Sequence, residues 1–224
     1  MTDVIARLAR KLIVSSQAMN PLSPLRAPET LSLLAQAAAL GGAGGFRVDG
    51  AAVARLLKTA SPLPVIGIVK DERKGFDNYI TTSLEDVANL LDAGVEIVAI
   101  QATEGTRPGP SFAALARAVH ARGGVVMADI ATRAEAVLAV AQGADIVATT
   151  MVGHTRQTQG AHRPPLDLVA ELLDLKVPVF VEGGVWTPEH VRESFAAGAH
   201  AVVCGSAITA PDIITSRLVA AIPG

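Results

Sequence analysis

Residues 64–70 have the sequence Pro-Val-Ile-Gly-Ile-Val-Lys, a short apolar run that ends in a charged residue. Its branched aliphatic side chains favour a β-strand. The run is apolar throughout instead of at alternate positions, which is typical of a parallel strand covered on both faces. Lys70 then stands at the carboxyl end of the predicted strand.

Seven other apolar runs resemble this one, and helical patterns alternate with them. The apolar runs cover residues 12–14, 45–48, 95–100, 124–130, 145–149, 178–181 and 201–204. Helical windows lie at 28–40, 84–93, 111–122, 133–142 and 188–197. Eight strands with helices between them indicate an α/β fold, a single-domain (βα)₈ TIM barrel over residues 1–224. A short helix over residues 1–11, with Val4, Ile5 and Leu8 on one face, precedes the first strand.

A weak internal repeat supports the barrel. Gly42, Gly94, Gly143 and Gly198 each end a helical window just before an apolar run, at intervals of 52, 49 and 55 residues. Glycine commonly ends helices because it adopts the left-handed conformation without steric cost. Each interval holds two βα units, which predicts a barrel built from quarters. A doubly wound open sheet is the alternative, and the repeat favours the barrel.

Composition and charge exclude several classes of protein. Half of the 224 residues are hydrophobic, 3% are aromatic, and the net charge is −2. The basic residues form no stripe, so we expect no nucleic-acid partner. The apolar run at 12–14 is too short for a signal sequence or a membrane span, so we expect a soluble, cytoplasmic protein with no membrane partner.

Cysteine and histidine usage argues against a metal site. Cys204 is the single cysteine, which excludes an internal disulfide, and it lies inside an apolar run where packing is its expected role. The five histidines lack metal-ligand spacing, although His154 and His162 share a loop that could reach a pocket mouth. Gly41–Gly45 precedes a strand instead of following one, so it is not a dinucleotide-binding loop. We expect neither a metal nor an organic cofactor.

Polar residues stand at the carboxyl ends of the predicted strands, where barrels of this kind carry their active sites. They are Gln17, Arg47, Lys70, Gln101, Asp129, Thr149, Glu182 and Ser206. A lysine suits proton abstraction beside a carbonyl when burial and a nearby cation such as Arg47 lower its pKa. We therefore predict Lys70 and Glu182 as the catalytic pair. The alternatives are that Lys70 points to water and that Glu182 forms a structural ion pair with Lys70 or Arg47.

Two glycine turns after the last strands predict an anion site. Gly183 and Gly184 follow strand seven, and Gly205 and Ser206 follow strand eight. Small residues let backbone N–H groups approach a phosphate, and barrels often bind phosphate at this position. The alternative is that both are only tight turns. The residues by themselves thus predict proton transfer on a phosphorylated ligand.

Several of these motifs together resemble one known family in order and position. The motifs are residues 12–17 (Leu-Ile-Val-Ser-Ser-Gln), 46–50 (Phe-Arg-Val-Asp-Gly), 64–70, 127–129 (Met-Ala-Asp), 149–151 (Thr-Thr-Met), 181–183 (Val-Glu-Gly) and 205–209 (Gly-Ser-Ala-Ile-Thr). They resemble the N-acetylmannosamine-6-phosphate 2-epimerases, (βα)₈ barrels of sialic-acid and amino-sugar catabolism. The resemblance covers nearly the whole chain and is most specific in strands three and eight.

The resemblance implies a cofactor-independent isomerase that interconverts N-acetylmannosamine 6-phosphate and N-acetylglucosamine 6-phosphate. Lys70 matches the lysine that removes and returns the C2 proton, and Glu182 matches the glutamate that assists proton movement. Substrate oxygens are expected to contact Gln17, Arg47, Asp129 and Thr149. The phosphate is expected at Gly183, Gly184, Gly205 and Ser206. The family's members are often dimers, so we expect a homodimer.

Four departures from the family pattern surround the predicted pocket. Gln101 stands where the family commonly has an acid, and Ala210 where it often has a phosphate-binding arginine. The other two are Gly153-His154-Thr155, which replaces a tyrosine-containing turn, and Val185-Trp186, near which a basic residue is common. The cations that could replace the missing arginine are Arg107, Arg156 and Arg163. These changes keep two alternatives open: a related sugar-phosphate epimerase or isomerase with an altered substrate, and a non-catalytic sugar-phosphate-binding barrel.

Overall fold

A computed structural model describes residues 2–223, in which eight parallel strands close into a barrel in sequence order. Closure comes from β1 pairing with β8, with Leu12 opposite Val202. The predicted barrel is confirmed, and the open-sheet alternative is wrong. The strands are β1 (Leu12–Ser16), β2 (Gly45–Asp49), β3 (Val65–Ile68), β4 (Ile97–Gln101), β5 (Val125–Asp129), β6 (Ile146–Ala148), β7 (Val179–Glu182) and β8 (Ala201–Cys204).

Helices follow the strands and form the outer layer. The helices are α1 (Thr2–Arg7), α2 (Pro28–Leu40), α3 (Ala51–Ala60), α4 (Leu84–Asp92), α5 (Phe112–Ala121), α6 (Arg133–Ala141), α7 (Leu166–Leu172), α8 (Pro188–Ala196), α9 (Ser206–Thr209) and α10 (Pro211–Val219). Short 3₁₀ helices cover Pro24–Arg26, Thr149–Met151, Arg156–Thr158 and Leu173–Leu175. Within residues 2–223, no helix has the length and hydropathy needed to cross a membrane.

Local signals set the helix ends. The four repeat glycines all have positive φ, with Gly42 at 96°, Gly94 at 87°, Gly143 at 106° and Gly198 at 103°, as the repeat predicts. At the other end of α4, Ser83 and Asp86 form a reciprocal capping box, in which the side chain of each accepts from the backbone N–H of the other. The helices α2, α4, α6 and α8 therefore end just before the strands that follow them.

Two apolar cores hold the layers together. One fills the gap between strands and helices, and the other fills the barrel interior. Val4 and Leu8, from α1 and the turn after it, belong to the interior core, so the N-terminal segment closes the bottom of the barrel. The predicted apolar face of this segment is thereby confirmed. The opposite end of the barrel, where the strands have their carboxyl ends, is open and carries polar side chains.

Strand six ends earlier than its apolar run suggests. β6 stops at Ala148, and Thr149–Met151 turns as a 3₁₀ helix. The Thr149 hydroxyl donates to the Glu182 carbonyl at 3.0 Å and accepts from the Glu182 N–H at 3.1 Å. The chain therefore leaves the sheet at Thr149 and presents the next residue, Thr150, to the centre of the barrel.

Candidate active site

A cavity of about 380 Å³ opens at the carboxyl ends of the strands. It brings together most of the predicted site residues, namely Gln17, Arg47, Lys70, Glu182, Gly183, Gly184, Gly205 and Ser206. Because β3 and β7 are opposite strands of the eight, Lys70 and Glu182 approach the cavity from opposite sides. Neither Asp129 nor Thr149 lines the cavity.

Arg47 is the buried centre of the site. Its side chain is 1% exposed, and its two terminal nitrogens donate to the two carboxylate oxygens of Asp129 at 3.1 and 2.7 Å. One of these nitrogens also lies 3.1 Å from Glu182 Oε2. Burial alone would lower the pKa of Arg47, but the charges of Asp129 and Glu182 outweigh it and raise this pKa. Arg47 therefore stays charged and fixes both carboxylates.

Thr150 completes this network. Its hydroxyl contacts Asp129 Oδ1 at 2.6 Å and Glu182 Oε2 at 3.3 Å. A hydroxyl has one proton to donate, so the two carboxylates share it. Thr150 lies in the 149–151 motif, but the substrate contact predicted at the end of strand six was Thr149 and not Thr150.

Glu182 ends β7 with its side chain 14% exposed at the cavity floor. Burial raises the pKa of Glu182, and the positive charges of Arg47 and Lys70 oppose this shift. A carboxyl group beside a ligand can donate a proton in its acid form and accept one as a carboxylate. The ion pair with Arg47 matches the structural alternative, and Glu182 also lines the cavity, so its catalytic role stays a prediction.

Lys70 follows β3, and its backbone N–H donates to Asp49 Oδ1 at 3.1 Å. Its Nζ lies 3.0 Å from the thioether sulfur of Met19, inside the cavity. Burial lowers the pKa of Lys70, the negative charge of Asp49 opposes this, and Arg47 adds to the lowering. A larger fraction of the amine is therefore neutral, which is the form able to accept a proton.

Gln17 offers a free acceptor to a ligand. Its amide nitrogen donates to Ser15 Oγ at 2.8 Å. Its carbonyl oxygen is buried and has no hydrogen-bond partner among the described residues. Buried polar atoms are nearly always paired, so this oxygen fits a hydroxyl or amide donor supplied by a substrate.

Two predicted contacts with the substrate do not match the geometry. Asp129 is fully buried beneath Arg47 and Thr150, so it supports these two side chains instead of reaching into the cavity. Thr149 is also fully buried, and its hydroxyl is engaged by the backbone of Glu182. The side chains that do line the cavity here are Arg47, which Asp129 supports, and Thr150, which follows Thr149 in the chain.

The glycine turns expose backbone donors on one side of the cavity. Gly183 and Gly184 both have positive φ, at 99° and 77°. In the hydrogen bonds of residues 2–223, neither Gly184 nor Gly205 uses its backbone N–H as a donor. Free N–H groups that point into a cavity suit an anion such as a phosphate.

Gln101, one of the departures, is structural in this chain. Its side-chain oxygen accepts from the N–H groups of Tyr79 and Ile80 at 2.9 and 3.3 Å, and its nitrogen donates to Thr103 Oγ1 at 2.8 Å. These bonds hold the segment after β3 against the barrel, where Tyr79 and Ile80 line the cavity. Gln101 itself does not line it, so an amide here removes no charge from the cavity.

The three candidate cations occupy different places. Arg163 lines the cavity and lies beside Gly183 and Gly184. Arg107 points elsewhere, donating to Asn78 Oδ1 at 2.7 Å, and burial lowers its pKa to about 10. Arg156 is exposed and lines a neighbouring depression. Of the three, only Arg163 can reach a ligand in the cavity.

Further lining residues come from loops. His154 reaches the cavity as expected, whereas His162 is exposed and does not line it. Met19 and Tyr79 also line the cavity and were not predicted, whereas Trp186 is one of the departures expected around the pocket. Cys204 is buried in β8, and burial raises its pKa to about 11, which suits packing. Within residues 2–223, no group of three His, Cys, Asp or Glu side chains is arranged to hold a metal ion.

Comparison with known proteins gives consistent matches. The family model "NanE: Putative N-acetylmannosamine-6-phosphate epimerase" matches residues 31–223. A protein of Enterobacter sp. strain 638 named "Putative N-acetylmannosamine-6-phosphate 2-epimerase" is 42% identical over 228 residues, with 99% of this chain and 97% of that protein covered. The solved structure of the N-acetylmannosamine-6-phosphate 2-epimerase from Clostridium perfringens superposes with a TM-score of 0.93 at 34% identity, covering 97% of this chain and 96% of the other.

A longer relative contains the same unit. The "Bifunctional enzyme NanE/NanK" of Brucella melitensis is 45% identical over 213 residues, which is 95% of this chain and 41% of that protein. The chain thus spans less than half the length of this relative. The family match, the full-length relative and the solved structure agree with one another, and the chain belongs to the N-acetylmannosamine-6-phosphate epimerase family.

Proposed function

We propose that the protein interconverts N-acetylmannosamine 6-phosphate and N-acetylglucosamine 6-phosphate by moving the proton at C2. The observation that carries this proposal is the opposed placement of Lys70 and Glu182 in one cavity beside two turns with free backbone N–H groups. The first feature suits proton transfer and the second suits a phosphate. Membership of the family supports the choice of substrate.

Lys70 is the proposed base. In the open-chain sugar, C2 lies beside the C1 aldehyde, so loss of its proton gives an enolate that the carbonyl itself stabilises. The substrate therefore supplies its own electron sink, and the proposal includes no cofactor. Burial favours neutral Lys70 by lowering its pKa. The intermediate then turns its other face toward Lys70, and the ammonium returns the proton to C2 on that face, which regenerates the neutral amine.

Glu182 and Arg47 act on the substrate oxygens. Burial raises the pKa of Glu182, and a carboxyl group at this position can pass a proton to a substrate oxygen as negative charge develops there. Arg47 lies 3.1 Å from Glu182 and contributes a fixed positive charge at the same place. Fixed dipoles and charges of this kind stabilise an enolate without reorganisation during the reaction.

The phosphate is proposed to lie at the turns after β7 and β8. Gly184 and Gly205 offer their N–H groups there, and Ser206 begins α9 directly after Gly205. The unpaired oxygen of Gln17 is available to a hydroxyl or to the amide N–H of the C2 substituent. We expect these contacts to hold the sugar with C2 between Lys70 and Glu182.

The experiment is proton NMR of N-acetylmannosamine 6-phosphate with the purified protein. The proposal predicts appearance of the gluco epimer. Mannose 6-phosphate, which lacks the N-acetyl group, is the matched control and should turn over poorly. Preference for the control sugar would establish the altered-substrate alternative, and tight binding without turnover of either would establish the non-catalytic one.

We also propose a cytoplasmic homodimer, as the family resemblance implies. Exposed apolar side chains on α2 and α10 support a contact between copies, among them Leu33, Leu40, Leu218 and Val219. The free Cys204 is compatible with a reducing compartment. Light scattering should give twice the chain's mass of 23.0 kDa; a single-chain mass would overturn the dimer.

A further inference from the structure

Arg163 lies in a slot formed by glycines at the mouth of the cavity. It belongs to the segment between β6 and α7. A Cβ placed on Gly153 would lie 3.3 Å from Arg163 Nε and 3.5 Å from its Cζ, and one on Gly183 would lie 3.8 Å from its Cδ. The side chain therefore runs between these two glycines, close to the N–H groups of the Gly183-Gly184 turn.

The charge of Arg163 is not neutralised by the protein. Among the ion pairs of residues 2–223, none includes Arg163, whereas Arg47 contacts two carboxylates in the same cavity. The side-chain contact that the structure gives Arg163 is with His154, whose Nε2 lies 3.0 Å from the terminal nitrogen NH1. A guanidinium with no acidic partner leaves its charge available to an anionic ligand.

His154 is suited to hold this guanidinium without cancelling its charge. Burial lowers the pKa of His154, and the positive charges of Arg163 and Lys70 lower it further. A neutral imidazole can accept the hydrogen bond from Arg163 at Nε2 and remain uncharged. The pair thus carries one net positive charge beside the exposed N–H groups of the glycine turn.

We propose that Arg163 binds the phosphate group of the substrate and that His154 is its positioning residue. This inference rests on the proposed function and adds the side-chain cation to the backbone donors at Gly184 and Gly205. A guanidinium matches two phosphate oxygens in a fixed fork, so it recognises phosphate by geometry as well as charge. Arg163 thereby selects for phosphorylated sugars over free ones.

The first test measures binding of inorganic phosphate by calorimetry to the wild type, Arg163→Gln and Arg163→Lys. Charged hydrogen bonds contribute about 1.5–3 kcal/mol, so Arg163→Gln should weaken phosphate binding by roughly tenfold or more. The lysine variant keeps the charge but loses the fork, so its affinity should fall between the two. Arg156→Gln, in the same loop and outside the cavity, is the matched control and should bind as the wild type does.

The second test separates binding from chemistry. With N-acetylmannosamine 6-phosphate, Arg163→Gln should raise KM about tenfold while kcat stays within about threefold, because the phosphate is remote from C2. His154→Phe, which removes the acceptor, should raise KM by less, and His154→Gln should restore part of the loss. The preference for phosphorylated over free N-acetylmannosamine, measured as the ratio of their kcat/KM values, should fall in Arg163→Gln.

The two tests distinguish this inference from the proposed function. If the wild type does not turn over the phosphorylated sugar, the function fails, yet the phosphate titration still decides the role of Arg163. Wild-type phosphate affinity in Arg163→Gln would overturn the inference even if the epimerase activity is confirmed. An equal loss of activity toward phosphorylated and free sugar would also overturn it, since that pattern indicates a general structural role.

Discussion

Asp129 accepts two hydrogen bonds from Arg47, at 3.1 and 2.7 Å, in a layer of the barrel where neither side chain has more than 1% of its surface exposed. Charges buried this far from water persist when they are paired and hydrogen-bonded. A terminal nitrogen of Arg47 also lies 3.1 Å from Glu182 Oε2, so Arg47 connects Asp129 to Glu182. The orientation of the proposed proton donor therefore depends on a carboxylate that does not touch the substrate.

Replacing Asp129 by Asn tests this dependence. The change leaves Arg47 buried with a neutral partner, and loss of one charge from a buried pair costs about 3–5 kcal/mol. We expect a decrease of that size in the free energy of unfolding, measured with urea, together with a fall in kcat. The matched control is Asp174→Asn, which breaks another two-bond pair, to Arg133, that is exposed. It should cost less than about 1 kcal/mol. Equal costs for the two variants would contradict the account.

The pH dependence of kcat/KM tests the state of Lys70. Proton abstraction needs the neutral amine, so the rate should rise with pH through the pKa of Lys70, which lies below its ordinary value of 10.5. The negative charge of Asp49 stabilises the ammonium and raises this pKa. Asp49→Asn keeps an acceptor for the Lys70 N–H, removes the charge, and should shift the rising limb to lower pH.

Asp71→Asn provides the control for this shift. Asp71 is next to Lys70 in the chain, but it pairs with the exposed Arg73. Its substitution should leave the rising limb in place. A limb that moves to higher pH in Asp49→Asn, or that does not move, would show that Lys70 is not the titrating group.

Gly184 should tolerate no side chain. Its φ is 77°, and a Cβ there would come within 2.7 Å of the carbonyl carbon of Arg163. Gly160 has the same φ of 77° with nothing within 4 Å of its Cβ position, so Gly160→Ala isolates the cost of the backbone conformation. That cost is about 1–2 kcal/mol. Gly184→Ala should lose about 1–3 kcal/mol more in thermal or urea unfolding. Indistinguishable stabilities would show that the turn and Arg163 are not tightly packed.

The barrel could be predicted because its signals are local. Each strand is a short apolar run, and Gly94 or Gly143 ends a helix before such a run by its own conformation. The end of β6 could not be predicted in this way. Thr149 leaves the sheet because its hydroxyl bonds to the backbone of Glu182, 33 residues away, and no neighbouring residue signals that contact.

The sequence predicted which charged residues lie in the site better than it predicted what each of them does there. Position at a strand end identified Arg47, Lys70 and Glu182, all of which line the cavity. It could not show that Asp129 lies behind Arg47, because that depends on the lengths of facing side chains across the barrel. Loop residues such as Tyr79 were missed because the path of a loop has no periodicity, and Tyr79 is placed by Gln101 from another strand.

The most direct test of the account is hydrogen exchange at C2 of N-acetylmannosamine 6-phosphate in D₂O, followed by NMR, with wild type and Lys70→Met. Methionine has nearly the length of lysine and cannot accept the proton, so the fold should survive, as judged by urea unfolding. The account predicts deuterium at C2 and formation of the gluco epimer with the wild type, and neither with Lys70→Met. Exchange that continues at the wild-type rate in the folded Lys70→Met protein would contradict the assignment of Lys70 as the base.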